Sequence, residues 1–274
     1  MACVTLLSDF GTADYFAGAM KGALLAACPS ARVFDLTHEI PPHDIGAGAF
    51  TLWAAHSAWP VGTIHLAVVD PGVGSARRAI IVKTGGHFLV GPDNGLFGLF
   101  YEHDAHAQVW HATTTEYARQ PVNASFHGRD VFAPLAGALA CGTAPAQCGP
   151  EITDYVRPSP QFPRQRPDGA ITAHVIHIDR FGNCVTSLTD AELSPAQAAS
   201  GFRLEINGHT VTRYAPYFAD GAASDEPFLA HGSAGFWEIS CYCASAALRL
   251  GVARGTQLVL ALPGASVIPF TLGN

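Results

Sequence analysis

The stretch RPSPQFPRQRPDG, residues 157–169, interrupts the chain with prolines and polar residues where apolar periodicity runs on both sides. Such a segment continues neither a helix nor a strand pattern, so it is read as a boundary between two folded parts. On its N-terminal side, short β-branched runs (Val4 to Leu7, Val33 to Leu36, Ile64 to Val69, Ala79 to Val82, Phe88 to Val90) alternate with helical patterns at Tyr15 to Ala27 and Val131 to Ala140. Alternation of this kind predicts an α/β domain with a mostly parallel central sheet over residues 1–157. On the C-terminal side strands dominate: His174 to Ile178, Phe202 to Ile206 turning at Asn207-Gly208 into Val211 to Tyr214, Phe236 to Tyr242, and Gln257 to Leu262. Asn-Gly between alternating runs is a hairpin signal. Residues 170–274 are therefore expected to form a smaller antiparallel β-barrel, with 158–169 as the linker.

Bulk properties narrow the function classes. Of 274 residues, 49% are hydrophobic and 14% charged, the balance of a packed globule rather than a disordered chain. The formal charge of −7, with no basic cluster longer than Arg77-Arg78, argues against nucleic acid as a partner and for a small-molecule ligand. No basic segment followed by a long apolar one opens the chain, and no run of about 18 apolar residues occurs, so no membrane association is expected and a cytoplasmic location is. Seven cysteines, an odd number without CxxC spacing, are read as reduced thiols, mostly small core hydrophobes, rather than a disulfide framework or zinc site.

Candidate chemistry collects where strands end. Asp9 and Asp70 follow apolar runs and are expected to project from the carboxyl ends of parallel strands, the ligand crevice of an open α/β sheet. Each is equally at home in a turn. Asp14 precedes the first helical stretch, where it can cap the helix and hold an ammonium group, while the free backbone N–H groups there suit a carboxylate. His127 stands in SFHGRDVFAP ahead of a helix, and a helix N-terminus favours its neutral, proton-accepting form. Asn183, in DRFGN, carries an amide able to read a purine edge, although surface turns use Asn too. Other motifs fail on spacing. THEIPPH lacks the HExxH pattern, GVGSAR lacks the third glycine of a dinucleotide fingerprint, and HGSAG lacks the first glycine of GxSxG.

Individually weak, these motifs gain specificity from their order: SDFGTADYFAG, DLTHEIPP, VVDPGVGSARRAI, GPDNGLF, FHGRDVFAP, DRFGN and FWEIS. The sequence resembles the S-adenosyl-L-methionine (SAM) hydroxide adenosyltransferases, the adenosine-forming SAM hydrolases related to the bacterial fluorinating and chlorinating enzymes. The resemblance implies an α/β domain and a β-barrel domain, a homotrimer with active sites between neighbouring subunits, and hydrolysis of SAM at ribose C5′ to adenosine and methionine. It implies Asp70, Arg77 and His127 as the catalytic triad that separates water users from halide users, which carry Tyr at the Asp70 position. It further implies Asp9 on the ribose hydroxyls, Asp14 and Ser233 on the methionine amine, Asn183 and backbone near Cys243 on adenine, and Glu238 toward the methionine end. No metal and no cofactor are expected, SAM being the substrate. Relatives often place Asn and Gly after an EIA-like strand where this chain has Ser240-Cys241-Tyr242-Cys243-Ala244, and His43 stands where halogenases place an aromatic over the ribose. A SAM-dependent halogenase and a non-catalytic SAM or adenosine sensor are the alternatives.

Overall fold

The computed structural model describes residues 2–157, 162–224 and 226–263. The chain divides into two compact units, residues 1–158 and 159–274. Residues 158–161 of the expected linker and 264–274 of the expected second domain lie outside the described residues.

The first unit is built on strands β1 (Cys3–Ser8), β2 (Arg32–Thr37), β3 (Ile64–Val68), β4 (Ala79–Thr84), β5 (His87–Pro92), β6 (Gln108–His111) and β7 (Glu151–Ile152). They form one sheet in the order β2-β1-β3-β5-β4-β6-β7. The β2-β1-β3-β5 pairings are parallel, whereas β4, β6 and β7 extend the sheet through antiparallel pairings. The sheet is thus mixed: a parallel core carries an antiparallel extension, because β4 and β5 are joined by a tight Gly85-Gly86 turn that leaves no room for a crossover helix.

Helices α1 (Phe16–Ala27), α2 (Ile45–His56), α3 (Gly98–His103), α4 (Ala133–Ala140) and the short α5 (Pro145–Cys148) complete the unit. Period-2 alternation sorts the strand residues. Val4, Leu6, Leu66 and Val68 share one apolar cluster with Met20 and Leu24 of α1 and Leu135 of α4, while Leu7, Ala67 and Val69 share another with Leu52 of α2 and Phe100 of α3. Because helices cover both faces, the central strands are apolar on both. From β1 the chain passes to β2 on one side and later to β3 on the other. The carboxyl ends of β1 and β3 therefore flank a topological switch point, where a crevice opens in sheets of this type.

Cys28, at the end of α1, and Cys141, at the end of α4, form a disulfide with a Cα–Cα separation of 5.8 Å. This corrects the expectation that all seven cysteines are free. The partners are 113 residues apart, and only helix packing brings them together. Cys3, Cys148, Cys184, Cys241 and Cys243 are free thiols.

The second unit comprises β8 (Arg164–Gln165), β9 (Ile171–Ile178), β10 (Cys184–Thr186), α6 (Pro195–Ser200), β11 (Arg203–Ile206), β12 (His209–Val211), β13 (Phe228–His231), β14 (Trp237–Ser240), α7 (Ala246–Leu250) and β15 (Gln257–Ala261). Strand β8 lies inside the stretch read as linker and pairs with β9. The remaining strands run antiparallel in the order β12-β11-β15-β9-β10-β14-β13. Backbone hydrogen bonds from Leu229 to Arg213 and from Ala215 to Leu229 draw the two edges together, giving a nearly closed barrel. Asn207 and Gly208 take φ of 47° and 76°, the left-handed pair that a two-residue hairpin requires. The barrel is filled by Val175, Leu204, Leu229, Trp237, Ile239 and Leu260. Among the described residues no helix is long and apolar enough to cross a membrane, and no group of three or more His, Cys, Asp or Glu is placed to hold a metal ion.

Candidate active site

Asp70 lies just beyond β3, with the Val69 carbonyl before it held by the Asn94 amide at 2.9 Å. The Arg77 guanidinium meets its carboxylate through Nε, 3.0 Å from both oxygens, and through Nη2. The side chains are only 10% and 5% exposed, so this is a forked, desolvated pair. The same Nη2 lies 2.8 Å from Nδ1 of His127, and the guanidinium stacks 4.9 Å from the Phe132 ring. Asp70, Arg77 and His127 are therefore one hydrogen-bonded group.

The pair's geometry sets a protonation state. Arginine only donates, so His127 Nδ1 must accept, and the neutral ring carries its hydrogen on Nε2. The His127 pKa is lowered, first by burial and then by the Arg77 charge, against the opposing carboxylates of Asp70 and Asp130. His127 caps a single π-helical turn, Gly128–Phe132, that runs into α4. Helix-end position, the reason offered by the sequence, is thus joined by burial and by the Arg77 charge. The loop carrying Arg77 is seated by Gly74, whose φ is 79° and where a Cβ would stand 2.6 Å from the Ala124 carbonyl oxygen.

Asp9 leaves β1 at the same end of the sheet as Asp70 leaves β3, since Ser8 pairs with Val68. Its Oδ2 accepts the His43 N–H at 2.8 Å. His43 holds φ at 66° to present that N–H, and its ring is solvent-exposed. Asp14 is exposed and does not cap α1. The N-cap is Tyr15, one residue later, and no side chain caps it. The α2 cap, unassigned from sequence, is Asp44, which accepts from Ala47 N at 2.8 Å.

The second unit holds the remaining candidates. Asn183 is buried, and Asp179 fixes it by accepting its backbone N–H and one amide hydrogen, both at 2.8 Å. Asn183 lines a cavity of about 530 Å³ together with Phe181, Phe218, Cys241, Cys243, Ala244 and Ser245, and its amide oxygen and second amide hydrogen are not taken by Asp179. Cys243 therefore stands with Asn183, at φ of 50° in a tight turn. Ser233 is exposed on the β13–β14 turn, and Glu238 lies on β14 with the Gly232 backbone packed against its carboxyl. Burial and the neighbouring Asp179 push the Glu238 pKa up to about 7. Neither Ser233 nor Glu238 lines the Asn183 cavity. The sequence reading missed Asp179, Phe181, Phe218 and Ser245. Asp179 and Phe181 sit inside the quoted DRFGN motif, whereas Phe218 carries no local signal.

Residues 4–149 match the family model of the SAM hydroxide adenosyltransferase N-terminal domain, and residues 173–259 match that of its C-terminal domain. The chain belongs to the SAM hydroxide adenosyltransferase family. A family relative in Thermus thermophilus named "(R)-S-adenosyl-L-methionine hydrolase" is 36% identical, the match covering 95% of this chain and 100% of the relative. A fluorinase of Actinopolyspora mzabensis is more distant, at 23% identity over 93% of this chain and 95% of its own. The crystal structure of an uncharacterized conserved protein from Thermotoga maritima superposes with a TM-score of 0.85 at 28% identity, covering 94% of this chain and 99% of that one.

Proposed function

We propose that the protein hydrolyses SAM at ribose C5′, releasing adenosine and L-methionine. The observation that carries this reading is the Asp70–Arg77–His127 group at the carboxyl end of the parallel strands. Sulfonium is a good leaving group and needs no acid, so the protein's task is to present a water in line with the C5′–S bond and take its proton. In the tautomer set by Arg77, His127 offers Nε2–H as a donor and Asp70 offers the accepting oxygens. Asp70 takes the proton as the water oxygen bonds to C5′, Arg77 keeps the carboxylate aligned, and His127 orients the water. A carboxylate beside the nucleophile repels halide, which favours hydrolysis over the halogenase reading.

In this reading Asp9 holds the ribose hydroxyls, Asn183 and the Cys243 backbone hold adenine, and Asp14, Ser233 and Glu238 serve the methionine end. The enzyme is a homotrimer whose active sites form between neighbouring subunits, a proposal that rests on the family resemblance. No cofactor is used, since SAM is itself the substrate. The Thermus relative's name specifies the R sulfonium epimer, and the same preference is proposed here.

The test is incubation with each epimer of SAM in H₂¹⁸O, with and without fluoride or chloride. Label in the adenosine 5′ hydroxyl with an equal amount of methionine is expected, fastest from the R epimer. Unlabelled adenosine, a 5′-halo nucleoside as main product, or binding without turnover would sink the proposal.

A further inference from the structure

Ser8, His38, Asp35 and Lys21 form a hydrogen-bonded line that hydrolysis as proposed leaves unused. Ser8 Oγ lies 2.7 Å from His38 Nδ1, His38 Nε2 lies 3.0 Å from Asp35 Oδ1, and Lys21 Nζ donates to Asp35 Oδ2 at 2.6 Å. Ser8 is fully buried and His38 nearly so, while Asp35 and Lys21 reach solvent. These are the residue types of a hydrolase triad, but the hydroxyl is sealed from substrate, so the group supplies no nucleophile.

Donor and acceptor roles are fixed at the Asp35 end of the line. Burial alone raises the Asp35 pKa, yet the hydrogen bonds from Lys21 and His38 outweigh it and hold the carboxyl below its ordinary value. The ionised carboxylate only accepts, so His38 Nε2 carries a hydrogen, and in the neutral ring Nδ1 then accepts from the Ser8 hydroxyl. Ser8 Oγ in turn accepts the Phe10 N–H at 3.3 Å.

The groups tied together by this line are the backbone on both sides of Asp9. The Ser8 carbonyl accepts from Ile40 N at 3.3 Å, and Gly11 N donates to the His38 carbonyl at 2.7 Å. Asp9 itself is bonded to His43 N, on the same segment as His38. Every one of these contacts joins the turn after β1 to residues 35–43. With Oδ2 engaged by His43, Oδ1 is the oxygen left for a ligand.

We propose that Ser8, His38 and Asp35 are positioning residues that lock the turn after β1 so that the Asp9 carboxylate meets the vicinal diol of the ribose. The proposal deepens the SAM reading and rests on it. It predicts that loss of the line harms recognition of the diol and leaves recognition of the base intact.

The experiment measures calorimetric binding of adenosine and of 2′,3′-dideoxyadenosine to the full chain, with KM and kcat for SAM alongside. For Ser8→Ala and His38→Ala, adenosine binding and KM worsen by roughly ten- to a hundredfold. Dideoxyadenosine binding stays within about twofold of wild type, and each variant combined with Asp9→Ala loses little more than Asp9→Ala alone. Asp35→Asn keeps an accepting oxygen for Nε2–H and retains near wild-type KM, whereas Asp35→Ala follows His38→Ala. Ser8→Ala removes one buried oxygen and keeps the test open should His38→Ala not fold. Equal losses for both nucleosides, or additive losses with Asp9→Ala, overturn the positioning role while leaving SAM hydrolysis standing. A wild-type protein that neither binds adenosine nor turns over SAM overturns both.

Discussion

Because arginine has no acceptor, the contact between Arg77 Nη2 and His127 Nδ1 makes a protonated His127 incompatible with the intact group. Protonation puts two donors face to face and adds a positive charge beside Arg77. With the His127 pKa lowered by burial and by Arg77, the neutral ring persists as the pH falls below 6.5 and is lost only further down. The acid limb of kcat/KM is therefore expected below pH 6.5, and a limb at or above that value contradicts the assignment. Asp70→Ala, Arg77→Ala and His127→Ala should each lower kcat by about 10²–10⁴-fold in single-turnover measurements. Combining them should cost much less than the product of the single effects, because the three act as one unit. Asn183 does different work. Asn183→Ala should raise KM with kcat nearly retained, and a variant with a collapsed kcat and unchanged KM would move Asn183 into the chemistry.

At the scale of elements, α1 and α4 pack on one face of the sheet and are stapled at their ends by Cys28–Cys141. A cross-link closing a loop of this length restricts the unfolded chain, a contribution of about 2–5 kcal/mol. Cys28→Ala, Cys141→Ala and reduction of the wild type should all lower the urea midpoint by a similar amount, with no further loss when the treatments are combined. A wild type that alkylates at seven thiols after unfolding without reductant contradicts the staple. Under the other face, Thr5 of β1, His65 of β3 and His87 of β5 form a buried polar row, with Thr5 Oγ1 2.7 Å from His65 Nδ1 and His65 Nε2 3.4 Å from His87 Nδ1. Burial, with the neighbouring His87 and His56, lowers the His65 pKa to about 3. Between pH 6.5 and about 3 the unfolded chain holds a proton on His65 that the folded chain excludes. Stability contributed by the neutral ring is present above pH 6.5 and lost as the pH falls through that window, on the order of a few kcal/mol. Urea midpoints measured from pH 7 to pH 4 should fall in the wild type and fall less steeply in His65→Gln; parallel slopes count against the row as the acid-sensitive element.

For the whole molecule, the proposed substrate contacts divide between two units: Asp9, Asp14, Asp70, Arg77 and His127 precede residue 158, and Asn183, Ser233, Glu238 and Cys243 follow it. A trimer with sites between subunits makes a complementation prediction. Asp70→Ala and Asn183→Ala chains, unfolded and refolded together, should regain activity that neither regains alone, since some interfaces then combine two intact halves. Mixed oligomers confirmed by mass spectrometry yet without recovered activity would place both halves of each site in one chain.

The sequence by itself determined the features that depend on short-range physics. Short apolar, β-branched runs marked β1 and β3, the ends of those runs located Asp9 and Asp70 at strand ends, and Asn207-Gly208 marked a hairpin because few residues accept left-handed φ. Motif order then added Arg77 and joined it to Asp70 and His127 as a triad. Tertiary structure alone decided how distant residues meet. The Arg77 fork spans 50 residues to His127, Cys28 reaches Cys141 across 113, and Ser8 finds His38 only because β1 and β2 lie side by side. The reason is that backbone conformation follows from neighbours along the chain, whereas hydrogen-bond partners, tautomers and burial follow from packing between elements, which local pattern does not encode. That is also why Asp14 read as a cap and proved to stand one residue too early, and why β4, an apolar run like its parallel neighbours, gave no sign that it would pair antiparallel, while the short β6 and β7 were not marked as strands at all.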